Sequence, residues 1–86
     1  MKKGAEWFEG RDPQLVYIAR RLRDATRLEE ILTEAGIDFA VEPDEYQGGV
    51  IFRRTRIGAF FYVLPESIAQ AGEAMKGNGF VPARID

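Results

Sequence analysis

Residues 15–41 read LVYIARRLRDATRLEEILTEAGIDFAV, an apolar run followed by a charged amphipathic stretch, a glycine and a second apolar run. Residues 58–85 repeat this order as GAFFYVLPESIAQAGEAMKGNGFVPARI. In both copies the first run carries the β-branched and aromatic residues that strands favour. The middle stretch spaces its apolar residues as on one face of a helix. The chain therefore predicts two strand–helix–strand units.

Two such units in one chain of 86 residues predict an α+β fold. We expect the ferredoxin-like βαββαβ plait, in which an antiparallel sheet carries both helices on one face. Asp24 is the expected N-cap of the first helix, and Gly36 fits the left-handed position that ends it. The second helix is expected to end at Gly77 or Gly79.

The middle of the chain fits two different structures. Residues 50–64 favour strand throughout. They fit either one long strand with a bulge at Gly58 or a hairpin that turns between Thr55 and Gly58. The residues alone leave both alternatives open.

Prolines predict edge positions for two strands, because proline cannot donate a hydrogen bond to a sheet ladder. Pro43 follows the strand predicted over residues 37–41, and Pro82 lies within the strand predicted over residues 80–85. The acidic residues 42–45 are expected to form a solvated turn, since their spacing matches no metal-binding loop.

The breakers Gly4, Gly10 and Pro13 indicate that residues 1–13 form an N-terminal arm. Residues 14–86 are then a single ferredoxin-like domain, a size that suits one core. Trp7 and Phe8 are two adjacent aromatic residues in an otherwise polar arm. We expect them to pack against the domain.

Strand parity divides the apolar strand residues between two sheet faces. One set lacks polar atoms and is expected under the helices: Val16, Ile18, Ala59, Phe61 and Val63. The other set is expected on the opposite, open face: Leu15, Tyr17, Ala19, Phe60, Tyr62 and Leu64. An exposed apolar surface of this kind usually marks an interface.

We therefore predict an interaction face on the open side of the sheet. Its expected members are Leu15, Tyr17, Phe60 and Tyr62, with Trp7 and Phe8 from the arm. A second copy of the protein, the arm itself or a ligand could cover this face. A homodimer or another protein partner is the expected assembly.

Composition narrows the function. The chain has no histidine and no cysteine, so the commonest general base and the best zinc ligands are missing, and we predict no catalytic site, metal site or cofactor. The net charge of −2 disfavours a nucleic-acid partner. No apolar run approaches the length of a membrane span, and no secretory signal is recognisable, so a cytoplasmic protein is expected.

The cluster Arg53, Arg54 and Arg56 is the best candidate for binding an anion, because guanidinium groups match phosphates and carboxylates. A small anionic ligand near this cluster is thus the alternative to protein interaction. The competing interpretation is an edge strand that charge protects from aggregation.

Three stretches carry a resemblance to a known family: ILTEAGI at residues 31–37, FAV at 39–41 and IGAFFYVLPE at 57–66. They resemble a small prokaryotic family of signal-transducing proteins, a domain of unknown function whose plait is related to the P-II and ACT-like regulators. The resemblance implies a βαββαβ fold and a regulatory or protein-binding role, and it implies no catalytic residues. We therefore expect a non-catalytic regulatory or interaction module.

Overall fold

The computed structural model describes residues 1–48 and 54–82; for residues 5, 44–48 and 54–57 it describes the backbone alone. Its elements, in chain order, are α1 (Ala5–Phe8), β1 (Gln14–Ala19), α2 (Leu22–Glu34), β2 (Phe39–Gly48), β3 (Arg54–Val63), a 3-10 turn (Pro65–Ser67) and α3 (Ile68–Lys76). The fold is α+β, as the sequence predicts. Its sheet, within these residues, has three antiparallel strands in the order β1-β3-β2.

The central strand β3 is continuous. Its pairing with β2 runs without a shift from Phe39 opposite Val63 to Gly48 opposite Arg54. The alternative of a hairpin turning between Thr55 and Gly58 is therefore wrong, and no bulge interrupts the pairing with β2 at Gly58. Residues 50–53, for which the sequence also predicts strand, lie outside the described part of the chain.

Strand β2 lies at an edge of this sheet, as Pro43 predicts. It extends through Pro43 to Gly48, so the acidic residues 42–45 form strand and the expected solvated turn is wrong. An edge strand tolerates proline because one of its sides needs no ladder hydrogen bonds.

The irregularity of the sheet lies in β1. Its register against β3 shifts between Leu15 and Tyr17, which leaves Val16 as an extra residue. A bulge of one residue moves every following side chain to the other face. Tyr17 therefore pairs with Phe61 on the helix-covered face, and Ile18 pairs with Phe60 on the open face.

Both long helices end with the same glycine-based arrangement. Gly36 has a φ of 73°, its N–H donates to the Thr33 carbonyl, and the next N–H, that of Ile37, donates to Leu32. Gly79 has a φ of 83° and the equivalent bonds to Lys76 and, through Phe80, to Met75. This is the Schellman motif, which satisfies carbonyls that a helix end leaves unpaired.

The helix beginnings are less regular. The N-cap of α2 is Arg21, and Asp24 lies in the first turn, so the N-cap prediction for Asp24 is wrong. An acid in the first turn still favours the helix through its dipole. Gly77 is the C-cap of α3 and keeps helical dihedral angles, so Gly79 is the residue at which the backbone becomes left-handed and leaves the helix.

The main core lies between the sheet and the helices α2 and α3. Its largest fully buried side chains, all with less than 2% exposure, are Leu28, Leu32, Phe39, Phe61, Val63 and Met75. Because α2 and α3 contribute to one cluster, both helices cover the same sheet face. The opposite face is the open face of the sheet.

The fourth predicted strand is not shown. Residues 80–82 follow Gly79 without strand structure, and residues 83–86 lie outside the described part. The Phe80 ring nevertheless packs edge-on against Tyr17 of β1, with ring centroids 5.3 Å apart. The chain after α3 therefore returns to β1.

Candidate functional site

The N-terminal arm crosses the open face from one sheet edge to the other. Lys2 forms a parallel bridge with Phe39 at the outer edge of β2, and the Lys3 N–H donates to the Phe39 carbonyl at 2.7 Å. The chain then forms α1 and reaches β1 at Gln14. Since β3 separates these two strands, the arm spans the width of the sheet.

Phe8 anchors the arm. Its side chain is 3% exposed and packs with Ala40 and Leu64, which belong to the open face. A helix of four residues has no stability of its own, so packing must hold α1 in place. The expectation that the aromatic pair packs against the domain is confirmed.

Trp7 lies beside this anchor, with its ring 4.9 Å from that of Phe8. Two cations approach the indole: the Lys3 ammonium at 5.4 Å and the Arg11 guanidinium at 4.4 Å from its centroid. Cation–π contacts of this kind contribute about 0.5–1 kcal/mol at exposed sites. They link the two ends of the arm around one ring.

The return from α1 to β1 needs two left-handed residues. Gly10 has a φ of 75° and Asp12 a φ of 60°. Aspartate is one of the few residues with a side chain that adopt this conformation readily. The Arg11 N–H donates to the Phe8 carbonyl at 2.9 Å, and the Gln14 amide donates to the Asp12 carbonyl. The turn therefore fixes the arm against the start of β1.

A groove of about 560 Å³ runs between the arm and the open face, and we call it the arm groove. Its apolar lining comes from both sides: Phe8, Pro13, Ala40 and Tyr62. Gly10 and three acids, Glu6, Glu9 and Glu42, also line it. The three carboxylates are on exposed residues, and none of the eight lining residues is basic. The groove is apolar at its floor and negative at its rim.

The open face stays partly exposed along β1 and β3, both at the groove and beyond it. Leu15, Ile18, Phe60 and Tyr62 are each half-buried there. The structure thus brings together three of the four predicted strand residues, with Phe8 and Trp7 beside them. Tyr17 is the exception: it packs on the helix-side core, so its predicted place on the open face is wrong. Ala19 is buried in that core as well.

Ile18 lies on the open face, although strand parity predicts it under the helices. The run from Leu15 to Ala19 is apolar at every position, so it holds no alternation that would reveal the bulge at Val16. No signal in the chain could have placed Ile18 correctly.

The predicted anion cluster is described only in part. Arg53 lies outside the described residues, and Arg54 and Arg56 belong to β3 with only their backbones described. An anion site at these arginines stays a prediction.

A second charged surface lies where β1 leads into α2, and we call it the basic corner: Arg20, Arg21, Leu22, Arg23 and, beside them, Val81. Leu22 is 84% and Val81 79% exposed, two of the four exposed large apolar residues among the described side chains. Arg21 lines one shallow depression with Leu22 and another with Val81. The corner thus combines exposed apolar groups with positive charge.

Two kinds of site are absent from the residues that the structure describes. No group of three or more histidine, cysteine, aspartate or glutamate side chains there could hold a metal ion. None of the helices described combines the length and the apolar character needed to cross a membrane.

Comparison of the chain with protein-family models, curated proteins and solved structures gave no match. The resemblance to the prokaryotic signal-transducing family is neither supported nor contradicted by this result and stays a prediction.

Proposed function

We propose that this protein is a non-catalytic regulatory or interaction module with a ferredoxin-like plait, and that it self-associates through the open face of its sheet. The observation that carries the proposal is the half-buried apolar strip of Leu15, Ile18, Phe60 and Tyr62 beside the arm. Apolar surface left at a sheet face is stabilised when a partner removes it from water.

The strand order supports the plait. Strands β1 and β2 both pair antiparallel with β3, so they are parallel to each other and α2 is the crossover between them. After α3 the chain returns to β1, where Phe80 contacts Tyr17. A fourth strand at the outer edge of β1 would complete the βαββαβ pattern.

The arm restricts where a second copy can bind. Phe8 already occupies the part of the open face at Ala40 and Leu64. The strip that remains runs across β1 and β3, from Leu15 and Tyr62 to Ile18 and Phe60. A small strip of this kind suits regulated assembly, because modest interfaces give reversible association.

The regulatory part of the proposal comes from the family resemblance. The resembling stretches fall in α2, β2, β3 and their ends, so they concern the sheet and its helices, whereas the arm lies outside them. The arm is then an addition of this chain to the common plait.

The test replaces Tyr62, which belongs to the strip and also lines the arm groove, with glutamate. A charge buried in an interface without a partner is costly, so Tyr62→Glu should lower the association constant at least tenfold, about 1.4 kcal/mol. Size-exclusion chromatography with light scattering over a concentration series measures the association, and far-ultraviolet circular dichroism checks the fold.

Ala69→Glu is the matched control, because Ala69 is exposed on α3 and the variant adds the same charge away from the strip. It should associate like the original protein. If Tyr62→Glu also associated normally, with its fold intact, the open face would not be the interface.

A further inference from the structure

The arm groove has the chemistry of a receptor for a cationic, apolar protein segment. Its floor includes Phe8, Ala40 and Tyr62, and its rim carries the carboxylates of Glu6, Glu9 and Glu42. An apolar side chain flanked by cations would meet both features at once. A segment that brought only charge would leave the floor exposed, since exposed ion pairs alone contribute little.

The same chain carries a segment of that kind at its basic corner. Leu22 is 84% exposed and stands between Arg21 and Arg23, both exposed. Leu22 is the first residue of α2, and its side chain projects into solvent. The corner therefore offers an apolar side chain and positive charges, which match the apolar floor and the negative rim of the groove.

Leu22 does not occupy the arm groove of its own molecule, because its side chain is 84% exposed. The two surfaces come together along β2, where Pro43 lines a depression with Arg21 and Leu22, and the adjacent Glu42 lines the groove. The apolar floor lies farther along the sheet, where Ala40 pairs with Tyr62. A Leu22 side chain that fills this floor therefore comes from another copy.

We propose that the basic corner of one copy occupies the arm groove of a second copy, with Leu22 on the apolar floor and Arg21 and Arg23 at the acidic rim. This inference rests on the proposed self-association and names the contact that orients it. The groove shares Tyr62 with the open-face strip, so both belong to one continuous surface. In a two-fold dimer this contact is made twice.

A charge-exchange experiment tests the pairing. Arg21→Glu and Glu9→Arg should each weaken association at least tenfold, because each places like charges together in the contact. The double variant restores opposite charges and should recover association to within about threefold of the original, following the logic of a double-mutant cycle. Sedimentation velocity over a concentration series at low salt measures all four proteins.

The variants are chosen to keep the fold. An acid at the start of α2 favours the helix dipole, so Arg21→Glu should fold normally, and Glu9 is exposed. Lys76→Glu and Glu34→Arg make the same charge changes on exposed residues elsewhere and should leave association unchanged. Leu22→Ser tests the apolar part without any change in charge and should also weaken association at least tenfold.

The outcomes separate the two proposals. Recovery in the double variant, with weakening in the singles and in Leu22→Ser, supports the docking of the corner in the groove. A dimer that is indifferent to these changes overturns the docking and leaves the open-face proposal standing, as does weakening without recovery. An original protein that stays monomeric at every concentration overturns both.

Discussion

Removing the Phe8 ring tests whether the arm is fixed to the sheet by a single side chain. Phe8 is 3% exposed and packs on Ala40 and Leu64, and burial of a phenylalanine side chain contributes about 1.5–3 kcal/mol. Phe8→Ala should therefore lower the free energy of unfolding by about 2 kcal/mol. We expect the loss to stay this small because the arm can detach as a unit and leave the main core under the helices intact.

Trp7 makes this release measurable, since it is the only tryptophan of the chain and lies in the arm. In urea titrations of the original protein, Trp7 fluorescence and circular dichroism should report one transition, as a cooperative unit does. In Phe8→Ala, Trp7 should emit as an exposed indole before urea is added, while the circular dichroism stays native. The midpoint should fall by about 1–2 M, given a slope of about 1–2 kcal/mol per M for a small protein.

Phe61→Leu is the control, because Phe61 is buried in the main core on the opposite sheet face. It should lower the midpoint of both signals together and leave Trp7 packed in the absence of urea. If Phe8→Ala kept both the original midpoint and the original emission of Trp7, the Phe8 ring would not be what fixes the arm to the sheet.

Three further predictions concern the fold and the alternative function. Gly36→Ala should cost about 1 kcal/mol of stability in urea titrations, because alanine is strained at a φ of 73°, whereas Gly4→Ala, at ordinary φ, should change little. If the plait is complete, nuclear Overhauser contacts should join residues 80–85 to the outer edge of β1, and their absence would leave a three-stranded sheet. If an anion binds at the arginine cluster, phosphate should raise the melting temperature and Arg54→Ala should abolish that rise; a rise that persists in the variant would exclude this site.

The sequence predicts helix ends well in this chain because their determinants are local. Gly36 and Gly79 adopt left-handed conformations that other residues avoid, and the bonds they allow join residues only three to five positions apart. The predicted start of α2 at Asp24 is wrong, because aspartate is favoured both at the N-cap and in the first turn of a helix.

The local sequence does not predict on which face of the sheet each side chain of β1 lies. Residues 15–19 are apolar throughout. A shift of the register by one residue therefore places apolar side chains on both faces as before, and the sequence pattern does not distinguish the two registers. Only pairing with β3 reveals the bulge that moves Tyr17 under the helices and Ile18 onto the open face. The turn predicted for residues 42–45 is wrong for a related reason. These residues form strand because they pair with β3, although their own propensity does not favour a strand.

In the candidate site, too, features set by neighbouring residues are predictable from the sequence, and features set by distant residues are not. The aromatic pair Trp7 and Phe8 predicts that the arm packs, since such residues rarely stay in water. The arm groove, however, joins Glu6 and Glu9 of the arm to Glu42 of β2, residues that are more than 30 positions apart. Neither spacing nor composition brings those carboxylates together, and only the path of the arm across the sheet does.

Self-association can be measured by sedimentation velocity of the unmodified protein over a wide concentration series. We expect a reversible shift from a species of the 9.7 kDa chain mass to one of twice that mass as concentration rises. A single species of the chain mass at every concentration would contradict self-association through the open face.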